Sequence, residues 1–263
     1  VIYEPFDYAV GDLHLQSGTS EIGLLGSWSA HSGERPTTVV ETSLAYGALP
    51  LCGGSIGKLD FGVNRFGGAR SVSASALAST GLLASGATLW FSLEMGYGRD
   101  GAGNPANTLN ARLAFALANS SFAPGNYQYW ITKDGLQPGS GLGVTLGYID
   151  AVPGRIVATQ FRDVASGDFI DGNVFGDFTG TTYGNDQHGL IVGKIVWGDA
   201  SDTISLYQPD TAMNLGAPIS KLTVSVDQSQ YDTITFARSD PVVMDELRFG
   251  ASYEAVIGAS AQP

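Results

Sequence analysis

The side chains best placed to do chemistry lie in one short stretch, Ala87-Thr88-Leu89-Trp90-Phe91-Ser92-Leu93-Glu94-Met95. Leu89, Phe91, Leu93 and Met95 take one parity; Trp90, Ser92 and Glu94 take the other. Period-two alternation predicts a strand whose apolar side enters a core, leaving Trp90 and Glu94 together on the opposite face. An indole surface can stack on the C–H face of a sugar ring and a carboxylate can accept its hydroxyls, so the pair has the composition of a glycan site. Residues four apart on a strand span ~13 Å, enough for neighbouring sugars. Arg112 sits on the polar parity of the next clear pattern, where Leu109, Ala111, Leu113, Phe115 and Leu117 oppose Asn110, Arg112, Ala114 and Ala116. It is a candidate to orient Glu94 or to bind a hydroxyl. A plainer alternative stays open, in which Trp90 covers the edge of a sandwich and Glu94 simply pairs with Arg112.

Catalysis has less support. Glycoside hydrolysis needs two carboxylates ~5–9 Å apart. The E-x-D-x-E strand of laminarinase-type glycosidases is absent, because Glu94 is followed by Met95, Gly96, Tyr97 and Gly98, and Glu246 has Arg248 two positions later. The R-x-E-x-R strand of alginate lyases is matched only in its second half by Glu246-Leu247-Arg248, and Gln187-His188 lacks the residue between that a Q-x-H pair requires. His14, His31 and His188 fall into no zinc-binding spacing.

Calcium is the better-supported cofactor, since it takes six to eight oxygens and Gly-rich turns let carbonyls approach it. The candidate ligands are Asp100 with Asn104, Asp199 with Asp202, and Asp245 paired with Asp7; the Asp168–Asp177 loop is a further source. None has the register of an EF-hand. Cys52, the sole cysteine, excludes an intrachain disulfide, and without a nearby His it reads as a buried structural thiol.

These side chains need a scaffold, and its borders are the two ends of the chain. Val242-Val243-Met244-Asp245-Glu246-Leu247-Arg248-Phe249 alternates as a strand, with Asp245 interrupting the apolar side carried by Val243, Leu247 and Phe249. Ile2 to Tyr8 is the other short aromatic segment, and the two are expected to lie side by side. Between them, strands are expected near 24–28, 37–40, 58–61, 127–132, 144–149, 156–161, 190–197, 203–207, 222–226 and 233–236. Asn64 to Gly68 reads as a turn, Ser71 to Ser85 as a loop with a short helix, and Asp163 to His188 as a polar loop with aromatic plugs. His188 reads as a surface residue.

About a dozen short strands with few or no helices indicate an all-β, two-sheet antiparallel jelly-roll sandwich, one domain over residues 1–263. Charged residues are only 14% and Gly numbers 36, a loop-rich globular composition. The formal net charge of −12 argues against nucleic acid and anionic lipid. No apolar run reaches the ~18 residues of a membrane span, so no membrane insertion is expected.

The borders "YEPFDY" and "DELRFGASYEAV", with "GATLWFSLEMG", "GLIVGKIVWGDASDTISLYQPD" and "DTITF" in order between them, are similar to the concanavalin A-like, laminin-G-like jelly rolls of exported planctomycete- and verrucomicrobia-type bacterial proteins. The resemblance spans essentially the whole chain and carries the fold more than an activity. It implies a secreted or cell-surface protein, an expectation shared by the start at Val1 in place of Met, which suggests a removed leader. The leading functional reading is a non-catalytic, lectin-like module binding a glycan or polysaccharide. A self-associating surface or matrix protein, joined through open strand edges, is the alternative suggested by the acidic, Gly-rich, Lys-poor composition. A polysaccharide hydrolase or lyase is the third.

Overall fold

The computed structural model describes residues 2–18, 22–30, 38–40, 44, 46–47, 49, 56–59, 65–73, 76–77, 80–97, 112–119, 141–149, 152–161, 169–171, 176–177, 181–183, 186–239 and 242–258. Eighteen strands appear among them. In chain order these are β1 (Ile2–Glu4), β2 (Gly11–Asp12), β3 (Leu24–Ala30), β4 (Thr38–Val40), β5 (Ile56–Leu59), β6 (Arg65–Val72), β7 (Thr88–Tyr97), β8 (Arg112–Asn119) and β9 (Gly141–Ile149). The second half contributes β10 (Val152–Phe161), β11 (Phe169–Asp171), β12 (Gly176–Asp177), β13 (Thr181–Tyr183), β14 (Asp186–Val196), β15 (Asp202–Tyr207), β16 (Ser220–Val224), β17 (Tyr231–Ser239) and β18 (Val242–Gly250). One four-residue helix, α1 (Tyr253–Val256), follows the last strand.

The strands form two antiparallel sheets, as expected for a jelly-roll sandwich. The first runs β16-β15-β14-β7-β18-β5-β4-β2, with β1 also on β18 and β13 on β14; the second runs β11-β10-β9-β8-β17-β6-β3, with β12 on β10. The chain ends meet: Ile2 pairs with Phe249, Tyr3 with Arg248 and Glu4 with Leu247. The first strand stops at Glu4, short of the expected Tyr8.

Alternation decides which side chains fill the space between the sheets. Leu89, Phe91, Leu93 and Met95 of β7 face Leu113, Phe115 and Leu117 of β8, all buried. The rings of Phe91, Phe115 and Phe249 form a triangle with centroids 5.9, 6.1 and 6.0 Å apart, joining both sheets. Burying each such ring contributes ~1.5–3 kcal/mol. Space for Phe91 exists because residue 193 is glycine; a Cβ there would come within 2.0 Å of the ring.

Several local expectations need correction. Residues 65–68 belong to strand β6 and not to a turn, because they pair with Ala237 to Ser239 and Phe236 of β17. The stretch read as a polar loop holds β11, β12 and β13, which find partners on β10 and β14. Only Ala76 and Leu77 are helical in the described part of 71–85. The strand expected at 127–132, the thiol of Cys52 and the pair Asp100/Asn104 lie outside the described residues. No helix among the described residues is long and apolar enough to cross a membrane.

Candidate functional site on the outer face of the first sheet

Strand register lays the outward side chains of the first sheet in rows that cross β7, β14, β15 and β16. One row reads Thr88, Val196, Thr203, Thr223; the next reads Trp90, Lys194, Ser205, Lys221. A third holds Arg248, Ser92, Val192 and Tyr207, and a fourth Asp245, Glu94 and Leu190. The first two rows are open apart from buried Ser205, with Lys221, Thr223 and Val196 exposed and Thr88, Trp90, Lys194 and Thr203 half-buried. The other rows are roofed over, apart from half-buried Tyr207 at the end of the third.

Three segments make the roof. Helix α1 is started by Ser252, whose Oγ accepts from the Ala255 N–H at 3.3 Å, and it is tied down by Ser92, whose hydroxyl donates to the Val256 carbonyl at 2.6 Å. The Tyr253 hydroxyl donates to the Met213 carbonyl at 2.6 Å, and that of Tyr46 to the Pro209 carbonyl at 2.7 Å. Residue 47 must be glycine-like for this closure: its φ is +54° and a Cβ would come within 2.2 Å of the Thr211 carbonyl oxygen. Leu49, Leu190, Val192 and Val256 fill the space beneath. Ser92→Ala should therefore cost ~1 kcal/mol through the lost hydrogen bond. Thermal unfolding checks the cost, and faster amide exchange at residues 253–257 locates it.

Trp90 stands at the border of the two halves. Its ring stacks on Tyr207 at 6.1 Å and 28°, lies 5.9 Å from Tyr253, and has the Lys194 ammonium 5.4 Å from its centroid. The outward direction expected for Trp90 is therefore the observed one.

Glu94 shares that face but is wholly buried, so it is not the exposed sugar acceptor expected from alternation. Its Oε2 lies 3.2 Å from Nδ1 of His188, which is equally buried and not a surface residue. Arg112 cannot serve as its strand neighbour, because β8 belongs to the second sheet and pairs with β17 and β9.

A bulge in β18 accounts for Asp245. Register slips between Asp245 and Arg248, and Glu246 takes a φ of +53°. The slip moves the chain by one position, so Met244, Leu247 and Phe249 all enter the core while Val243, Asp245 and Arg248 face outward. Asp245 accepts from the Glu246 N–H at 2.9 Å and from the Leu44 N–H at 3.3 Å. Burial pushes its carboxyl well above the usual range, and the charges of Glu246 and Glu94 add to the effect. Glu246 is itself held by the Arg248 guanidinium at 2.7 Å and by the Tyr3 hydroxyl at 2.9 Å.

The expected calcium ligands serve other roles where they are described. Asp202 is buried and accepts from the N–H groups of Gly198 and Val226, at 3.2 and 3.0 Å. Asp199 accepts from the Ser85 hydroxyl. Asp7 is not brought into a ligand set with Asp245: among the described residues no group of three or more His, Cys, Asp or Glu is arranged to hold a metal ion. Lys194, Tyr207 and Tyr253 were not singled out from sequence. The polar parity Thr203, Ser205, Tyr207 and the lone Lys194 within an apolar run are signals that could have found the first two.

No protein-family model and no curated protein matches the chain by sequence. Among solved structures, the potassium-bound carbohydrate recognition domain of Emp46p is 11% identical with a TM-score of 0.49, over 86% of this chain and 88% of that one. The evolved Dit CBM2 module of Lactobacillus casei BL23 phage J-1 is 12% identical with a TM-score of 0.38, over 70% and 68%. Sheep galectin-11 in complex with glycerol is 8% identical with a TM-score of 0.33, over 62% and 90%.

Proposed function

We propose that this chain is a non-catalytic glycan-binding module, secreted or displayed at the cell surface, and that its site is the open half of the first sheet's outer face. The observation that supports this reading is Trp90, half-exposed and braced by Tyr207 and Tyr253, at the head of a row of polar side chains. A braced ring loses little freedom when a ligand meets it, which favours affinity. Ser205 and Lys221 continue the row over three inter-strand steps, ~14 Å in all. Hydroxyls of Thr88, Thr203 and Thr223 in the parallel row can exchange hydrogen bonds with a sugar.

The positions of the described acids support the non-catalytic part of this reading. Glu94 and Asp245 are on adjacent strands, yet both are under the roof, and the two open rows carry no carboxylate. A glycan on those rows meets no acid pair of the kind hydrolysis requires.

A glycan array, followed by calorimetry on the best ligand, tests the proposal. Trp90→Ala should weaken binding at least ~10-fold, whereas Trp90→Phe, which keeps a braced ring, should retain most of the affinity. Circular dichroism reports whether either variant has lost its fold. A blank array for the native chain, or equal affinity for native and folded Trp90→Ala, would sink the reading.

A further inference from the structure

We infer that the open face selects an acidic glycan, one carrying carboxylate or sulfate groups; this rests on the glycan-binding reading above. The chain has only four lysines, and it carries 25 Asp and Glu against 13 Lys and Arg. With acids in nearly twofold excess, a surface lysine without a carboxylate partner is not the default arrangement. Two of the four stand in the same cross-strand row, Lys194 and Lys221, with Ser205 between them.

Neither lysine is ion-paired within the described structure. Lys194 lies against Trp90, and Lys221 projects from the edge strand β16. The described arginines that carry ion pairs do so in the interior, Arg70 with Glu4 and Arg248 with Glu246. Two acids close to these strands are engaged elsewhere. Asp210, close enough to act on Tyr253, accepts from the N–H groups of Ala212 and Asn214 and from Asn214 Nδ2. Asp202 is taken up by backbone N–H groups.

The spacing suits a repeating anion. Two inter-strand steps separate Lys194 from Lys221, ~10 Å between backbones, and long flexible stems let each ammonium adjust along a polymer. A ligand carboxylate or sulfate would draw the Lys194 ammonium from the indole and form a charge-assisted bond. The sugar ring could then meet the uncovered part of Trp90. The chain's overall charge of −12 opposes this at long range. At physiological ionic strength, charges beyond ~8 Å are largely screened, so the two nearby cations dominate at contact.

The test uses ligand pairs that share a backbone and differ in charge: polygalacturonate against its methyl ester, and dextran sulfate against dextran. Calorimetry at 0.15 M salt should show at least ~10-fold tighter binding of the charged member. The double variant Lys194→Gln/Lys221→Gln, checked for an unchanged melting temperature, should lose that preference. Equal binding of charged and neutral members would overturn the inference and leave the glycan-binding reading standing. A preference for the charged member that survives in the double variant would also overturn it, because the anion would then be read elsewhere. Failure of every glycan to bind the native chain would overturn both.

Discussion

Replacing Arg70 with methionine should destabilise the protein by ~3–5 kcal/mol, the largest single loss anticipated for this fold. Arg70 projects inward from β6 in the second sheet, and its Nη1 lies 2.9 Å from Oε2 of Glu4 on β1 in the first. Both side chains are essentially without solvent. The guanidinium also donates to the Gly26 carbonyl at 2.7 and 3.0 Å and to the Tyr8 hydroxyl. Glu4 is further held by the Phe6 N–H at 2.8 Å and Trp28 Nε1 at 3.1 Å. Methionine would leave the carboxyl of Glu4 buried without its cation. Burial already pushes that carboxyl up against the pull of Tyr8, Arg70, Phe6 and Trp28. The double variant Glu4→Gln/Arg70→Met removes both charges together and should recover much of the loss. Urea unfolding of the single and double variants measures the coupling. Losses that simply add would show that the pair does not act as a unit.

This network also shows where sequence reading stops. The apolar parities of β7 and β8 were legible, because Leu89, Phe91, Leu93 and Leu113, Phe115, Leu117 repeat at the period that the pleat imposes. So was the meeting of the termini. The partnership of Glu4 with Arg70 was not, since the two are 66 residues apart and lie in different sheets. Arg112 failed for a related reason. Consecutive strands are not neighbours here, because the chain crosses from one sheet to the other between β7 and β8.

The outward direction of Trp90 could be read from alternation, but the roof over Glu94 could not. That roof is built by α1, by residues 44, 46, 47 and 49 and by the 209–215 segment, whose contacts are set by tertiary packing and by no local period. Asp245 is the intermediate case. Its place on an apolar parity signalled something irregular, and the irregularity is the bulge at Glu246.

The same buried acid gives the second large effect, through pH. A carboxyl raised in the folded chain keeps its proton to a higher pH than it does unfolded, so the native state binds more protons between the two values. Linkage then requires stability to fall as pH rises across that window. For Asp245 the contribution is complete below the ordinary value of 3.8 and is lost as pH climbs through the raised value; Glu4, also raised, acts in the same direction from 4.5 upward. Asp210 and Glu254 are held low by hydrogen bonds and have the opposite sign. Their contribution is lost as pH falls below the ordinary carboxylate range, and being exposed they are screened.

The native chain should accordingly be most stable in mildly acid solution and weaken towards pH 8. Asp245→Asn removes the largest cause of that slope. The amide oxygen can keep the 2.9 Å bond from the Glu246 N–H, giving up the longer one from Leu44. At pH 8 the variant should exceed the native chain by ~1–3 kcal/mol, the cost of a buried charge poorly satisfied. Only below the ordinary value of 3.8, near pH 3, is Asp245 protonated in both states, and there the advantage should vanish. Denaturant unfolding of both proteins at the two pH values decides the matter. Parallel pH profiles would mean that Asp245 titrates alike in the folded and unfolded chain, and that the roof over the outer face does not hold it protonated.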